Sequence, residues 1–194
     1  MKYGEFFIQH SDYNFFFIDE VGYSICVQRN RGRSLKGTQA IAKLPLSKTP
    51  NCSCCMAITD SEVLYYKKNQ TAYDGESFQN FLKELIEIIE SRGFKNVILV
   101  MDNSSVHQEK YVKQLCDGKV DYMFLPPYSP NLNPIENVFG IIKKYMKKIL
   151  ATTYRDALLA TFHLDWGQKT AARQSILDEV FTLAVSQIDQ EILE

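Results

Sequence analysis

No apolar run in the 194 residues approaches the roughly 20 needed to span a bilayer. The N-terminus also lacks the basic segment, apolar stretch and small-residue cleavage site of a secretory leader. The expectation is a soluble, unsecreted chain, in the nucleus of a eukaryote or otherwise in the cytoplasm. Internal repeats and low-complexity tracts are missing as well. Bulk positive charge is absent too: the formal net charge is −1, which excludes nucleic-acid binding by overall charge alone. The zinc-finger and zinc-ribbon spacings are not found, although Cys52, Cys54 and Cys55 cluster, with Cys26 and Cys116 further away. The cluster runs into Met56, Ala57 and Ile58 and reads better as buried, reduced strand cysteines, which suits a reducing compartment.

With 45% hydrophobic and 23% charged residues, the chain has the composition of one globular domain with a sizeable core. Its charge is unevenly placed. Arg29, Arg31, Arg33, Lys36, Lys43 and Lys48 occur without an intervening acid, and Lys143, Lys144, Lys147 and Lys148 form a second group. A solvated face is the usual meaning of such runs; a phosphate-binding surface is the alternative.

The run Asn14 to Glu20 is aromatic and β-branched and stops at two acids, as a buried strand delivering carboxylates at its end would. Tyr23 to Val27, Cys54 to Thr59 and Val63 to Tyr66 are expected as neighbouring antiparallel strands, with Asp60 and Ser61 turning between the last two. Phe78, Phe81, Leu82, Leu85, Ile86 and Ile89 repeat at helical spacing, and Gly93 follows as a stop. Val97 to Met101, apolar throughout, fits a central parallel strand buried on both faces, with Asp102 at its end.

Ser105 and Gln108 are expected to box the start of a short helix through about Leu115. A strand over Tyr122 to Leu125 comes next. Pro126, Pro127, Pro130 and Pro134 then stiffen a connection into a helix that has Val138, Ile141, Ile142, Tyr145, Met146 and Ile149 on one face and the four lysines on the other. Beyond Leu150 the pattern stays helical, with Ile176, Val180, Ala184 and Ile188 as a stripe. The order predicts an α/β fold: a mixed sheet flanked by helices, with a short lead-in over 1–14, the sheet-bearing unit over 15–150 and a helical C-terminal extension over 151–194.

This topology brings Asp19, Asp102 and Glu136 toward the crevice beyond the strand ends. Carboxylates gathered there repel one another unless cations neutralise them, and hard oxygen-preferring ions such as Mg²⁺ or Mn²⁺ do so. Two such ions about 4 Å apart suit phosphodiester chemistry on a nucleic-acid backbone.

Four ordered stretches carry a resemblance: Phe17-Ile18-Asp19-Glu20, Arg31 to Gly37, Met101-Asp102-Asn103-Ser104-Ser105-Val106-His107, and Pro127 to Glu136. Together they resemble mariner-like transposases and their bacterial insertion-sequence relatives, over Phe15 to Leu150. The resemblance implies a ribonuclease-H-like fold and a DDE triad of Asp19, Asp102 and Glu136 binding two Mg²⁺ or Mn²⁺ ions. It implies cleavage and strand transfer of DNA in cut-and-paste transposition. The 33 residues between Asp102 and Glu136 lie within the spacings of that superfamily. Arg31, Arg33, Lys36 and the four lysines become candidate phosphate contacts, and Glu20, Asn103 and His107 candidate supporting residues. Partners implied are DNA and either a second copy of the chain or a separate end-recognition domain.

Each acid has a local rival reading. Asn133-Pro134-Ile135-Glu136 is also a helix start, with Asn133 as N-cap and Glu136 as the capping-box acid. Asp19 also suits an ion pair with Arg29, and Asp102 a turn. Glu20 points away from Asp19 if the strand continues. Only 18 residues precede Asp19, too few for the helix-turn-helix modules of the resembling family. Little sequence-specific DNA binding is therefore expected of this chain alone, whether it is an isolated catalytic domain, a fragment of a decayed element or a stand-alone derivative. A catalytically inert remnant that binds DNA or protein is the alternative function.

Overall fold

Strand β1, Asn14–Tyr23, pairs along both edges and organises the sheet. The computed structural model describes residues 7, 10, 12–25, 33–39, 51–127 and 129–192, with side chains as far as 188. The elements in order are β1, β2 (Cys52–Ile58), β3 (Val63–Asn69), α1 (Gly75–Ser91), β4 (Val97–Met101), α2 (Glu109–Cys116), β5 (Asp121–Phe124), α3 (Ile135–Thr152), α4 (Arg155–Ala160) and α5 (Trp166–Ile192). Strand order is β3-β2-β1-β4-β5. The first three strands are antiparallel neighbours, while β4 and β5 add in parallel. This is the mixed sheet the sequence predicts.

The two faces of β1 serve different layers because successive side chains alternate. Phe16 and Ile18 pack with Phe81, Leu82 and Leu85 of α1 and Val112 of α2. Val21 and Tyr23 pack with Phe139, Ile142 and Met146 of α3 and Val180, Phe181 and Ala184 of α5. The C-terminal helix thus shares a core with the sheet. β4 is buried at every position, as its unbroken apolar run requires. In α1 the expected stripe Phe78 to Ile89 is the buried face, each side chain contributing about 1.5–3 kcal/mol. The Asp74 carboxylate accepts the Ser77 N–H at 2.8 Å to cap its start. Gly93, at φ 74°, takes the left-handed turn that ends it.

Cys52, Cys54, Cys55 and Cys116 are free and buried; the first three lie on β2, as anticipated for the cluster. Cys26 lies outside the described residues, as do Val27, Arg29, Arg31, Lys43 and Lys48. Among the described residues no helix is long and apolar enough to cross a membrane.

Two expectations need correction. Asp19 and Glu20 do not end the first strand: they pair with Met56 and Cys55, and β1 runs on to Tyr23. Tyr23 is thus the last residue of β1 rather than the first of a separate strand, because Val21 and Tyr23 gain burial by continuing β1; Ser24 and Ile25 lie outside any strand, and the rest of the strand expected there falls outside the described residues. What stops is the parallel pairing, whose last rung is Ile18 opposite Met101. The helix expected from Ser105 begins only at Glu109, after Gln108, which makes no side-chain cap bond. Residues 103–107 are instead spent on a turn, closed by His107 N–H to Ser104 O at 3.1 Å, that carries His107 into the interior.

Candidate active site

Asp19 and Asp102 are each the first residue beyond the Ile18–Met101 rung, so the end of the parallel pair sets the two acids side by side. Alternation turns Asp19 toward the layer that contains α3, whose first turn carries Glu136. The three acids line one cleft of about 370 Å³ with Asn103, Asn133, Ser129 and a wall of Leu125, Pro126, Pro127 and Pro130. The rigid proline connection thus forms one side of the cleft and delivers α3 to it.

Both aspartates are held. Asp19 Oδ1 accepts the Glu20 N–H at 2.8 Å, and Oδ2 accepts Asn133 Nδ2–H at 3.1 Å. Asp102 Oδ1 accepts the Ser104 N–H at 3.2 Å and lies 2.8 Å from His107 Nδ1. Glu20, on the opposite face of β1 from Asp19, reaches the other ring nitrogen, with Oε1 2.8 Å from Nε2. His107 is buried and stacks, tilted, on Phe78 at 4.2 Å between centroids.

With an acceptor at each nitrogen, the ring fits its hydrogen bonds only as imidazolium. Burial alone would lower its pKa, but the Asp102 and Glu20 carboxylates outweigh that and raise it to about 10. The same bond to His107 is the main reason the Asp102 carboxyl is held below its ordinary value. Asp19 moves the other way, to about 7. Burial is the largest cause; the Glu20 N–H opposes it, and repulsion from Asp102, Glu20 and Glu136 adds to it.

Among the described residues no basic side chain pairs with Asp19, and the acids repel one another, so a divalent cation fits the donor chemistry of the site. No group of three or more His, Cys, Asp or Glu is preassembled as a metal cage among the described residues. Mg²⁺ needs no such cage, because it commonly takes one or two carboxylates and completes its shell with water and substrate phosphate.

Of the other residues singled out in sequence, Asn103 is exposed at the cleft, and Glu20 and His107 stand behind Asp102. Glu136 is exposed rather than folded back as a capping-box acid. The Asn133 N–H it would need already donates to Pro130 O at 2.9 Å. Lys143, Lys144, Lys147 and Lys148 project outward from α3, and Lys143 and Lys147 border a second cleft with Gly22, Tyr23, Ser24 and Asn51. Arg33 and Lys36 are exposed, Lys36 in a turn and Arg33 ahead of it; neither lines the acidic cleft. Arg31 lies outside the described residues. Asn133 was the residue sequence reasoning missed as a site residue. Its signal was its place inside the most specific motif, where a cap already seemed to explain it.

A mixed sheet with acids gathered where its parallel pair ends is the architecture of ribonuclease-H-like domains. The chain belongs to the DDE superfamily endonuclease family, whose sequence profile matches residues 14–158, well over half its length. No curated protein matches it in sequence. Among solved structures, the Mos1 transposase paired-end complex with left transposon end superposes with a TM-score of 0.60 at 16% identity, covering 93% of this chain and 59% of that one. The Mos1 mariner paired end complex with Mn gives 0.58 at 16% identity, with 93% and 59% covered. The catalytic domain of Mos1 mariner transposase gives 0.50 at 15% identity, with 94% and 89% covered. At these identities the likeness is one of fold. The chain spans 59% of the length of the transposase in the paired-end complex.

Proposed function

We propose that this chain is a transposase catalytic domain that cleaves DNA phosphodiesters and joins the released 3′ ends to target DNA, with Asp19, Asp102 and Glu136 holding two Mg²⁺ or Mn²⁺ ions. The observation that carries the proposal is the meeting of three acids from three separate elements in one cleft, within a member of the DDE endonuclease family. Bound there, the ions supply a Lewis acid and a lowered pKa for the attacking water or hydroxyl.

The chain's own residues set the frame for that chemistry. His107 and Glu20 fix the Asp102 carboxylate from behind. The proline wall keeps one side of the cleft rigid, and Asn103 at its mouth offers a polar contact. The four lysines on α3 extend from the helix that bears Glu136, so phosphates they contact lie along the same surface. DNA is the partner on this reading, with either a second copy of the chain or a separate domain recognising transposon ends.

The test is Mn²⁺ binding by electron paramagnetic resonance, with nicking of plasmid DNA measured in parallel and an end-recognition domain supplied in trans. Asp19→Ala and Asp102→Ala are expected to weaken Mn²⁺ binding at least tenfold, a loss on the order seen when metal-site residues are removed, and to abolish nicking. Mn²⁺ binding that survives both substitutions unchanged would overturn the assignment.

A further inference from the structure

Asn133 is one of the few buried polar residues among those described, and it makes a hydrogen bond with each of its polar groups. Its N–H donates to Pro130 O at 2.9 Å, and its carbonyl accepts the Glu136 N–H at 3.2 Å. Its side-chain Oδ1 accepts the Ile135 N–H at 3.4 Å, and Nδ2–H donates to Asp19 Oδ2 at 3.1 Å across a sequence separation of 114. Of these four bonds, only the last leaves the local chain. A cap alone does not explain it, because serine or aspartate would serve the helix start as well, and neither offers a donor of that reach.

We propose that Asn133 is a positioning residue that ties Asp19 to the first turn of α3 and so sets the separation of the Asp19 and Glu136 carboxylates across the cleft. The inference rests on the metal-site reading above. Its chemistry is specific. Each oxygen of a carboxylate has two acceptor positions; the Glu20 N–H takes one on Oδ1 and the carboxamide takes one on Oδ2. Asp19 is thereby held at both oxygens and keeps one acceptor position on each for a cation. The carboxamide does this without adding charge to a site that already holds three acids. The proline connection anchors the main chain of Asn133, so the tie has a rigid end.

The experiment is a double-mutant cycle on Mn²⁺ affinity, with unfolding temperature as the control for folding. Asn133→Ser keeps a hydroxyl for the helix start but is too short to reach Asp19. It is expected to weaken Mn²⁺ binding about tenfold, as loss of a residue behind a metal ligand does. In an Asp19→Ala background the same substitution is expected to cost nothing further, because its partner is gone. A purely structural role would shift the unfolding temperature and act equally in both backgrounds. Asn133→Thr fills more of the vacated volume and serves in the same cycle if the serine variant does not fold. Equal losses in the two backgrounds, or no loss in either while Asp19→Ala alone weakens binding, would overturn the positioning role and leave the metal site standing. An Asp19→Ala variant that binds Mn²⁺ as well as the wild type would remove the metal-site reading, and this inference with it.

Discussion

His107 Nε2 lies 2.8 Å from Oε1 of Glu20, a residue 87 positions earlier in the chain, and the ring is buried between that carboxylate and Asp102. Removing Glu20 leaves His107 paired with Asp102 at Nδ1 but strands Nε2 of the buried ring without an acceptor, and such a stranded group is where most of the cost of breaking a buried pair arises. Glu20→Ala is therefore expected to destabilise the protein by about 3 kcal/mol, the lower end of the range for a broken buried pair, since Glu20 retains some exposure. Urea denaturation measures it. A loss below about 0.5 kcal/mol would show the pair to be no stronger than one on the surface.

The raised pKa of Asp19 makes the metal-free protein sensitive to pH. Folded, the group titrates near 7; its ordinary value is 3.8. A carboxyl raised on folding favours the folded state when protonated, so its contribution is complete below 3.8 and is lost as pH rises through about 7. In EDTA, the wild type is expected to lose stability across that interval relative to Asp19→Asn, which cannot ionise. A divalent cation offsets the same repulsion. Mg²⁺ or Mn²⁺ is thus expected to raise the unfolding temperature more above about pH 8 than below about pH 5. An equal rise at both would place the cation away from Asp19.

The lysine face of α3 gives a prediction about DNA. Lys143, Lys144, Lys147 and Lys148 are exposed together, and phosphate contacts release counterions, so affinity should fall steeply with salt and vary little with duplex sequence. Replacing all four by alanine is expected to weaken binding to every duplex and to flatten the salt dependence by up to about four units of log–log slope. Filter-binding titrations across a salt series check this. Unchanged affinity would mark the face as solvated surface only.

The sheet, its mixed topology and the buried face of α1 were legible because each rests on local periodicity: alternation in β1, an unbroken run in β4, three- and four-residue spacing in the helix. In α3 the expected face was offset: Ile142 and Met146 are buried, but Val138, Ile141, Tyr145 and Ile149 only partly so, and Ile135, Phe139 and Leu150 complete the buried stripe. That Asp19, Asp102 and Glu136 line one cleft was legible from the order of the motifs and of the elements that carry them. The end of β1 was misplaced because two adjacent acids look like a strand terminus, whereas pairing with β2 carries the strand past them. The late start of α2 was hidden for a related reason. His107 is held by Glu20 from a strand far away in sequence, and no local signal announces such a bond. The Asn133–Asp19 bond was illegible on the same grounds, spanning 114 positions and masked by a sufficient local explanation of Asn133 as a helix cap.

Glu136 is the position where catalysis and helix capping make opposite demands. Its side chain lines the cleft, and the N–H that a capping-box acid would bind is taken by Pro130 O at 2.9 Å. Glu136→Gln conserves size and helix propensity, removes one negative charge from the first turn of α3, and should cost no more than about 1 kcal/mol through the helix dipole. Relief of repulsion on Asp19 works against even that loss, since Glu136 is among the groups that raise its pKa. A neutral amide is nonetheless a poor partner for a divalent cation that must offset the charge of a phosphate transition state. The expected result is a folded protein with a near-native unfolding temperature whose Mg²⁺- or Mn²⁺-dependent nicking falls at least a thousandfold, about 4 kcal/mol of barrier. The assay requires an end-recognition domain fused or added in trans, with the wild type active beside it. Cleavage by folded Glu136→Gln at the wild-type rate would take Glu136 out of the triad and return it to the surface of the helix start.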